Sequence, residues 1–156
     1  MTSVFIKKRL ENQQKMNIFF QNNNKKFAVL DDALTAACEG LIYMSEIDAP
    51  VMPFRGTVVD DVTGETILHQ TNSNADTPVE EITFEMFFGK LTTIREWYGE
   101  PEKVKAQKFL ELQTLLEENL RNRKVFRLGK VQLAVYAVGI DKDGRLIGIT
   151  TNAVET

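Results

Sequence analysis

Few residues in this chain have the type and spacing that catalysis requires. Cys38 and His69 could form a nucleophile–base pair, because a thiolate forms readily beside an imidazole. Glu46 and Asp48 could act as paired acid–base carboxylates. However, Cys38 falls among apolar residues at helical spacing, which is typical of a small core residue. The two carboxylates fall in a short polar connection, where such side chains are usually only solvated. A small hydrolase is therefore the weakest of the candidate functions.

Established enzyme motifs are absent from the sequence, which contains no Walker A loop, G-x-G-x-x-G, H-E-x-x-H or G-x-S-x-G. The single His excludes a His-rich metal site. The segment Asp141-Lys142-Asp143-Gly144 has the spacing that begins a calcium loop, but its glycine comes too early and Asn152 stands where the bidentate Glu belongs. It predicts a hairpin turn instead. We expect no enzyme activity, no cofactor and no metal held by the chain itself.

Trp97 and Tyr98 differ from these candidates, because they fall in a polar connection, 92–102, between two predicted helices. A Trp on such a loop is a candidate anchor for a protein interface, since Trp and Arg are enriched among binding hot spots. The alternative is that Trp97 fills the gap between the two helices. The sequence leaves both interpretations open.

Composition places the chain among single-domain proteins that bury a core. It has 156 residues, 43% of them hydrophobic, one Cys and a net charge of −3. One Cys cannot form an internal disulfide, and no apolar stretch is long enough to span a membrane. The basic residues near the N-terminus are not followed by the apolar region of a signal peptide. These features predict a reducing, cytoplasmic location and no membrane partner.

The net charge hides a strong segregation along the sequence. Residues 1–26 hold six Lys or Arg and one acid, a charge of +5, and lack persistent periodicity. Residues 27–102 hold three basic and fifteen acidic residues, a charge of −12, and 103–156 carry +4. We predict a flexible basic leader, 1–26, before one domain, 27–156. An acidic middle region attracts a basic protein surface and repels nucleic acid, although it is also compatible with an ordinary solvated surface.

The elements that position these residues follow from periodicity and capping. Apolar spacing, caps and Pro101 predict helices over 30–44, 63–71, 84–90 and 101–122. Residues 45–50 form an exposed connection that carries Glu46, and 51–60 read as extended. Short apolar runs predict strands over 125–128, 131–140 and 146–151. Because the strand 131–140 is mainly apolar on both faces, it must lie between two layers. We expect an α+β fold in which one sheet is covered on both faces.

Several dispersed segments, taken in order, resemble one known family. These segments are 40–46 (GLIYMSE), 65–71 (ETILHQT), 97–98 (WY), 125–129 (VFRLG) and 154–156 (VET). They are similar to the nuclease A inhibitor family, proteins that inhibit a sugar-non-specific nuclease. The resemblance extends over about 30–156 and leaves the leader out.

The resemblance implies a single-domain α-β-α sandwich with a largely antiparallel sheet, like that of plant pathogenesis-related proteins. It also implies a protein that blocks a magnesium-dependent nuclease by covering its active site. In the family, a glutamate in the Met-Ser-Glu segment and the C-terminal threonine reach the nuclease's magnesium, and a tryptophan ahead of the long helix contributes to the interface. These residues correspond to Glu46, Thr156 and Trp97.

Arg95 departs from the family pattern, in which the position two residues before the tryptophan is an interface glutamine. An arginine facing a basic cleft repels it, unless the arginine meets an acid of the partner or lies at the rim. This departure bears on which nuclease is inhibited. It also supports an alternative function, a diverged interaction domain of the same fold that binds a non-nuclease partner.

Overall fold

Four helices cover the sheet of this protein in a computed structural model that describes residues 30–156. The predicted leader, 1–26, lies outside the described residues. The chain divides into two units between residues 33 and 34, and all of the strands belong to the unit Leu34–Thr156. The helices are α1 over 30–38, α2 (Gly64–Gln70), α3 (Phe84–Thr92) and α4 (Glu100–Asn119). Within 30–156, no helix is both long enough and apolar enough to cross a membrane.

Side-chain hydrogen bonds to the backbone mark the starts of three of these helices. The hydroxyl of Thr63 accepts from the Thr66 amide at 3.1 Å, and that of Thr83 accepts from the Met86 amide at 3.0 Å. At α4, the Glu102 carboxylate accepts from the Gly99 amide at 2.8 Å, directly ahead of Pro101. Each contact satisfies a backbone donor that a helix start leaves without a partner. The predicted starts of these three helices are thereby confirmed to within one residue.

The cap at Thr83 gives a measurable contribution to stability. We expect Thr83→Ala to lower the free energy of unfolding by about 1 kcal/mol, because the Met86 amide loses its acceptor. The melting temperature then falls by about 2–4 °C. Thr83→Ser, which keeps the oxygen, is the control and should unfold like the wild type in chemical denaturation. Equal losses in both variants would contradict a capping role.

Within residues 30–156, seven strands form two sheets. The strands are β1 (Ile42–Met44), β2 (Asp48–Pro50), β3 (Met52–Val58), β4 (Val79–Ile82), β5 (Arg121–Gly129), β6 (Gln132–Ile140) and β7 (Arg145–Val154). The larger sheet has the order β3-β7-β6-β5-β4, and every neighbouring pair is antiparallel. β1 and β2 form a separate antiparallel hairpin. The predicted α+β class with an antiparallel sheet is confirmed.

Helices cover both faces of the larger sheet. On one face, Ile67 of α2 packs in a cluster with Phe126, Val138 and other buried residues of β5, β6 and β7. On the opposite face of β6, Leu133, Val135 and Ala137 are also buried. Arg55, next to the inward-facing Phe54 on β3, points to that second face and donates to the Thr35 hydroxyl of α1 at 2.9 Å. The predicted burial of β6 on both faces is confirmed.

The structure corrects the predicted helix 30–44. The helix ends at residue 38, Gly40 adopts a left-handed φ of +70°, and residues 42–44 are strand β1. A glycine in that conformation ends a helix, so Gly40 is a terminator rather than an interior residue. The long helix likewise ends at Asn119, not at 122. The short strands β1, β2 and β4 have no clear periodicity and were not predicted.

Candidate functional site

Glu46 lies in the three-residue loop of the β1–β2 hairpin, and this loop is fastened to the end of β7. Met44 and Asp48 are directly paired in the hairpin, so only residues 45–47 protrude. The Ser45 hydroxyl accepts from the Val154 amide at 3.0 Å, and the Glu46 amide donates to the Val154 carbonyl at 3.3 Å. The loop is therefore exposed but anchored to the sheet by its own backbone and by Ser45.

The structure brings together two of the predicted site residues, Glu46 and Thr156, which are 110 positions apart. The Thr156 amide donates to Glu46 Oε2 at 2.6 Å. The Thr156 hydroxyl donates to the same carboxylate, at 3.0 Å from Oε1 and 3.1 Å from Oε2. Both residues are exposed. Oxygen atoms from the two residues thus stand side by side at one edge of the fold.

An ion-pair network that the sequence did not predict lies next to this pair. Arg127 of β5 has only 19% of its side chain exposed. Its Nη2 pairs with the carboxylate of Glu155, and its Nε lies 3.3 Å from Glu80 Oε1. Tyr43 of β1 adjoins the network. Burial raises the pKa of Tyr43, and Arg127 partly opposes the shift while Glu155 adds to it.

Trp97 is the most exposed large apolar residue among those described, with 78% of its surface accessible. It follows Arg95, whose guanidinium carbon lies 6.0 Å from the centre of the indole ring, at the outer limit of a cation–π contact. The Tyr98 amide donates to the Arg95 carbonyl at 3.0 Å and closes the turn. The indole therefore does not fill the gap between α3 and α4. Tyr98, which is half-buried, lies closer to that position.

A shallow hollow of about 350 Å³ connects the two predicted site regions. Met44, two residues before Glu46, lines one part of it, and Tyr98, next to Trp97, lines another. The floor is formed by residues of α3 and α4, among them Leu91 and Phe109. The hairpin that carries Glu46 and the loop that carries Trp97 therefore border the same surface. This geometry suits contact with another protein better than enclosure of a small substrate.

The hypothetical Cys38–His69 pair is not formed. Cys38 is buried in α1, on the face of the sheet opposite α2, which carries the exposed His69. Burial raises the pKa of the Cys38 thiol to about 12, and the nearby Arg55 only partly opposes the shift. At neutral pH the thiol is protonated and inert as a nucleophile. The interpretation of Cys38 as a core residue is confirmed.

Thiol labelling measures this burial directly. Because Cys38 is the single Cys and its pKa is about 12, we expect no stoichiometric reaction of the native protein with an aromatic disulfide reagent at about pH 8. The same protein should react fully in strong guanidinium. Rapid labelling of the native protein near neutral pH would contradict the assignment.

Two other candidate sites were the calcium-loop-like segment 141–144 and the carboxylates of Glu46 and Asp48. Asp141 is buried, and its side chain accepts from the Asp143 and Arg145 amides and pairs with the Arg145 guanidinium at 3.1 Å. This carboxylate stabilises the hairpin turn, as predicted, instead of beginning a calcium loop. The Glu46 carboxylate bonds to Thr156, and Asp48 lies exposed on β2. Within residues 30–156, no three His, Cys, Asp or Glu side chains cluster as a metal site.

Ion pairs in the folded protein neutralise some of the acids of the region 27–102. Glu80 and Glu81 of the acidic region pair with Arg127 and Lys124 of β5, at 3.3 and 3.7 Å. Three further acids, Glu96, Glu100 and Glu102, surround Trp97 in sequence, and all are exposed. These acids remain on the surface, where they can act on a partner, and Lys90 and Lys105 line the hollow between the tryptophan loop and the Glu46 hairpin.

Taken together, the fold and these surfaces define an α+β protein whose exposed features are suited to binding another protein. A family model described as nuclease A inhibitor-like protein matches residues 28–156. The chain belongs to this nuclease A inhibitor-like family, as the segment resemblance indicated. Membership implies a nuclease inhibitor in general terms and a nuclease as partner. A search of the curated proteins found no match.

Proposed function

We propose that this protein binds over the active site of a magnesium-dependent, sugar-non-specific nuclease and blocks it. In the complex, Glu46 and Thr156 approach the nuclease's magnesium, and Trp97 anchors the interface. The observation that carries the proposal is the pairing of Glu46 with Thr156 on an exposed, anchored loop. A family role in nuclease inhibition supplies the partner class.

The chemistry of the partner explains why such a pair inhibits. Magnesium is a hard cation that takes oxygen ligands, and a nuclease holds it ready for the oxygens of a phosphodiester. A carboxylate offers oxygens of similar charge, and a threonine hydroxyl beside it offers another. Because the inhibitor contains no bond that the nuclease cleaves, the site is occupied without turnover.

Charge and exposure explain the approach to the nuclease. A cleft that binds nucleic acid is basic, so the acids of the Glu46 hairpin and the Trp97 loop accelerate encounter with it. The same charge disfavours direct binding of nucleic acid to this protein. An exposed indole then buries a large apolar area when it meets a partner surface. The proposal includes a reducing, cytoplasmic setting, which the single unpaired Cys38 supports.

The decisive test is a titration of the purified protein into DNA and RNA digestion by several magnesium-dependent non-specific nucleases. Stoichiometric loss of cleavage with at least one of them is expected. Cleavage that persists against every such enzyme at a large molar excess would overturn the proposal. The assay should be repeated at two salt concentrations, because electrostatic steering weakens as salt increases.

Arg95 is expected to determine which nuclease is preferred. Its guanidinium lies near the Trp97 ring on the proposed interface, where the family pattern has a glutamine. A rim charge acts mainly on association rate and partner choice. Arg95→Gln should therefore change the ratio of inhibition constants between two nucleases by about fivefold or more, with the melting temperature unchanged. An equal change in the inhibition constants of both nucleases would show that Arg95 does not determine which nuclease is preferred.

The second candidate function, an interaction domain for a non-nuclease partner, also rests on Arg95. It places a positive charge among Glu96, Glu100 and Glu102, the exposed acids around Trp97. Affinity capture with the full chain, with Trp97→Ala as control bait, separates the two functions. Direct, Trp97-dependent capture of a non-nuclease protein, combined with a negative inhibition titration, would favour this second function.

A further inference from the structure

Thr156 lies two residues beyond the end of β7. Its amide and hydroxyl reach the Glu46 carboxylate within hydrogen-bond distance. The preceding residue, Glu155, continues the strand by one bond, since its amide donates to the Val131 carbonyl at 2.9 Å. The side chain of Glu155 is therefore well placed to fix the direction in which Thr156 leaves the sheet.

Arg127 holds that side chain. Its guanidinium lies between two carboxylates, Glu155 on one side and Glu80 on the other. The Glu80 contact is an ion pair without hydrogen-bond geometry, because Arg127 Nε finds no hydrogen-bond partner among the described residues, whereas Nη2 reaches Glu155. Because Arg127 is four-fifths buried, the Glu155 contact is screened less than an ion pair in open solvent.

The same arginine is close to the strand that leads to Glu46. Tyr43 of β1 lies in the field of both Arg127 and Glu155, and its ring stacks on Phe87 with centres 5.7 Å apart. Tyr43, Glu80, Phe87 and Arg127 line one hollow of about 240 Å³ beside the hairpin. Arg127 thus contacts the segment before Thr156 and adjoins the strand three residues before Glu46.

We propose that Arg127 is a positioning residue that, through Glu155, holds Thr156 against the Glu46 carboxylate before any partner binds. The pair then meets the nuclease already arranged, so its ordering adds no cost on binding. This inference deepens the proposed function and rests on it for its effect on inhibition. The positioning of Thr156 by Arg127 concerns the uncomplexed protein and does not depend on nuclease inhibition.

Two isosteric variants separate positioning from general stability. Glu155→Gln and Glu80→Gln each remove one carboxylate from the same guanidinium, but only Glu155 precedes Thr156. We expect Glu155→Gln to weaken inhibition by about tenfold and Glu80→Gln by less than twofold. The charge-exchanged variant R127E/E155R should recover part of the loss. In a Glu46→Ala background, Glu155→Gln should add less than a further twofold loss.

The closing experiment monitors the Thr156 amide by nuclear magnetic resonance in the uncomplexed protein. Because this amide donates a hydrogen bond to Glu46, its proton signal should lie downfield. We expect the signal to move upfield in Glu155→Gln and to stay in place in Glu80→Gln. If the chemical shift of the Thr156 amide proton does not change in Glu155→Gln, the positioning role of Arg127 is overturned. If the signal moves as expected while wild-type protein inhibits no nuclease, the positioning role holds and the proposed function fails.

Discussion

Glu46→Ala is expected to weaken inhibition of the nuclease by about 2–5 kcal/mol, the range found when one member of a desolvated charge pair is removed. The inhibition constant then increases by at least about thirtyfold. Two losses combine in this variant: the nuclease's magnesium loses an anionic oxygen, and Thr156 loses the acceptor of its amide and hydroxyl. Because Glu46 is exposed, the melting temperature should stay within a few degrees of the wild-type value.

Matched variants on the same hairpin make this prediction specific. Asp48→Asn removes an exposed carboxylate two residues away and should change the inhibition constant by less than about threefold, as a rim charge does. Glu46→Gln keeps the shape and removes the charge, so it should resemble Glu46→Ala more than the wild type. Equal effects of Asp48→Asn and Glu46→Gln would indicate general electrostatic attraction instead of contact with the metal.

Trp97→Ala is expected to weaken inhibition by about 2 kcal/mol or more, as for a central aromatic anchor. With 78% of its surface exposed, the indole contributes little to folding, so the variant should unfold at nearly the wild-type temperature. Inhibition titrations and thermal unfolding of the same preparations measure both quantities.

Val58→Ala is the control for Trp97→Ala. Val58 is 71% exposed and ends the edge strand β3, away from the hairpin loop and the tryptophan loop. We expect this variant to inhibit like the wild type, because an exposed apolar residue outside the interface is energetically neutral. A large loss of stability in Trp97→Ala, with inhibition unchanged for the folded fraction, would show the indole to be structural.

Local signals in the sequence predicted much of the fold. Thr63, Thr83 and Pro101 mark helix starts by chemistry that acts within one turn, and β6 is recognisable because both of its faces are apolar. The predicted end of α1 was wrong because apolar spacing continues past Gly40 into β1. Whether that glycine continues a helix or ends it in the left-handed conformation depends on where the following strand packs.

Only part of the candidate site could be predicted from the sequence, for a related reason. The exposure of Glu46 follows from the polar connection around it, and Trp97 is conspicuous in its loop. The contact of Glu46 with Thr156, in contrast, joins residues 110 positions apart, and no local pattern encodes it. Arg127 has no local signal either, because β5 contains three further basic residues and nothing in their spacing shows which of them meets Glu80 and Glu155.

The proposed contact with the metal is tested most directly by the distance from the nuclease's metal to Glu46 and Thr156 in the complex. With paramagnetic manganese in place of magnesium, amide signals of these two residues should broaden severely. Signals of the turn 141–144 should remain sharp, because that turn lies at the opposite end of β7, about 30 Å away. Sharp signals from Glu46 and Thr156 in a fully inhibited complex would contradict the proposed contact.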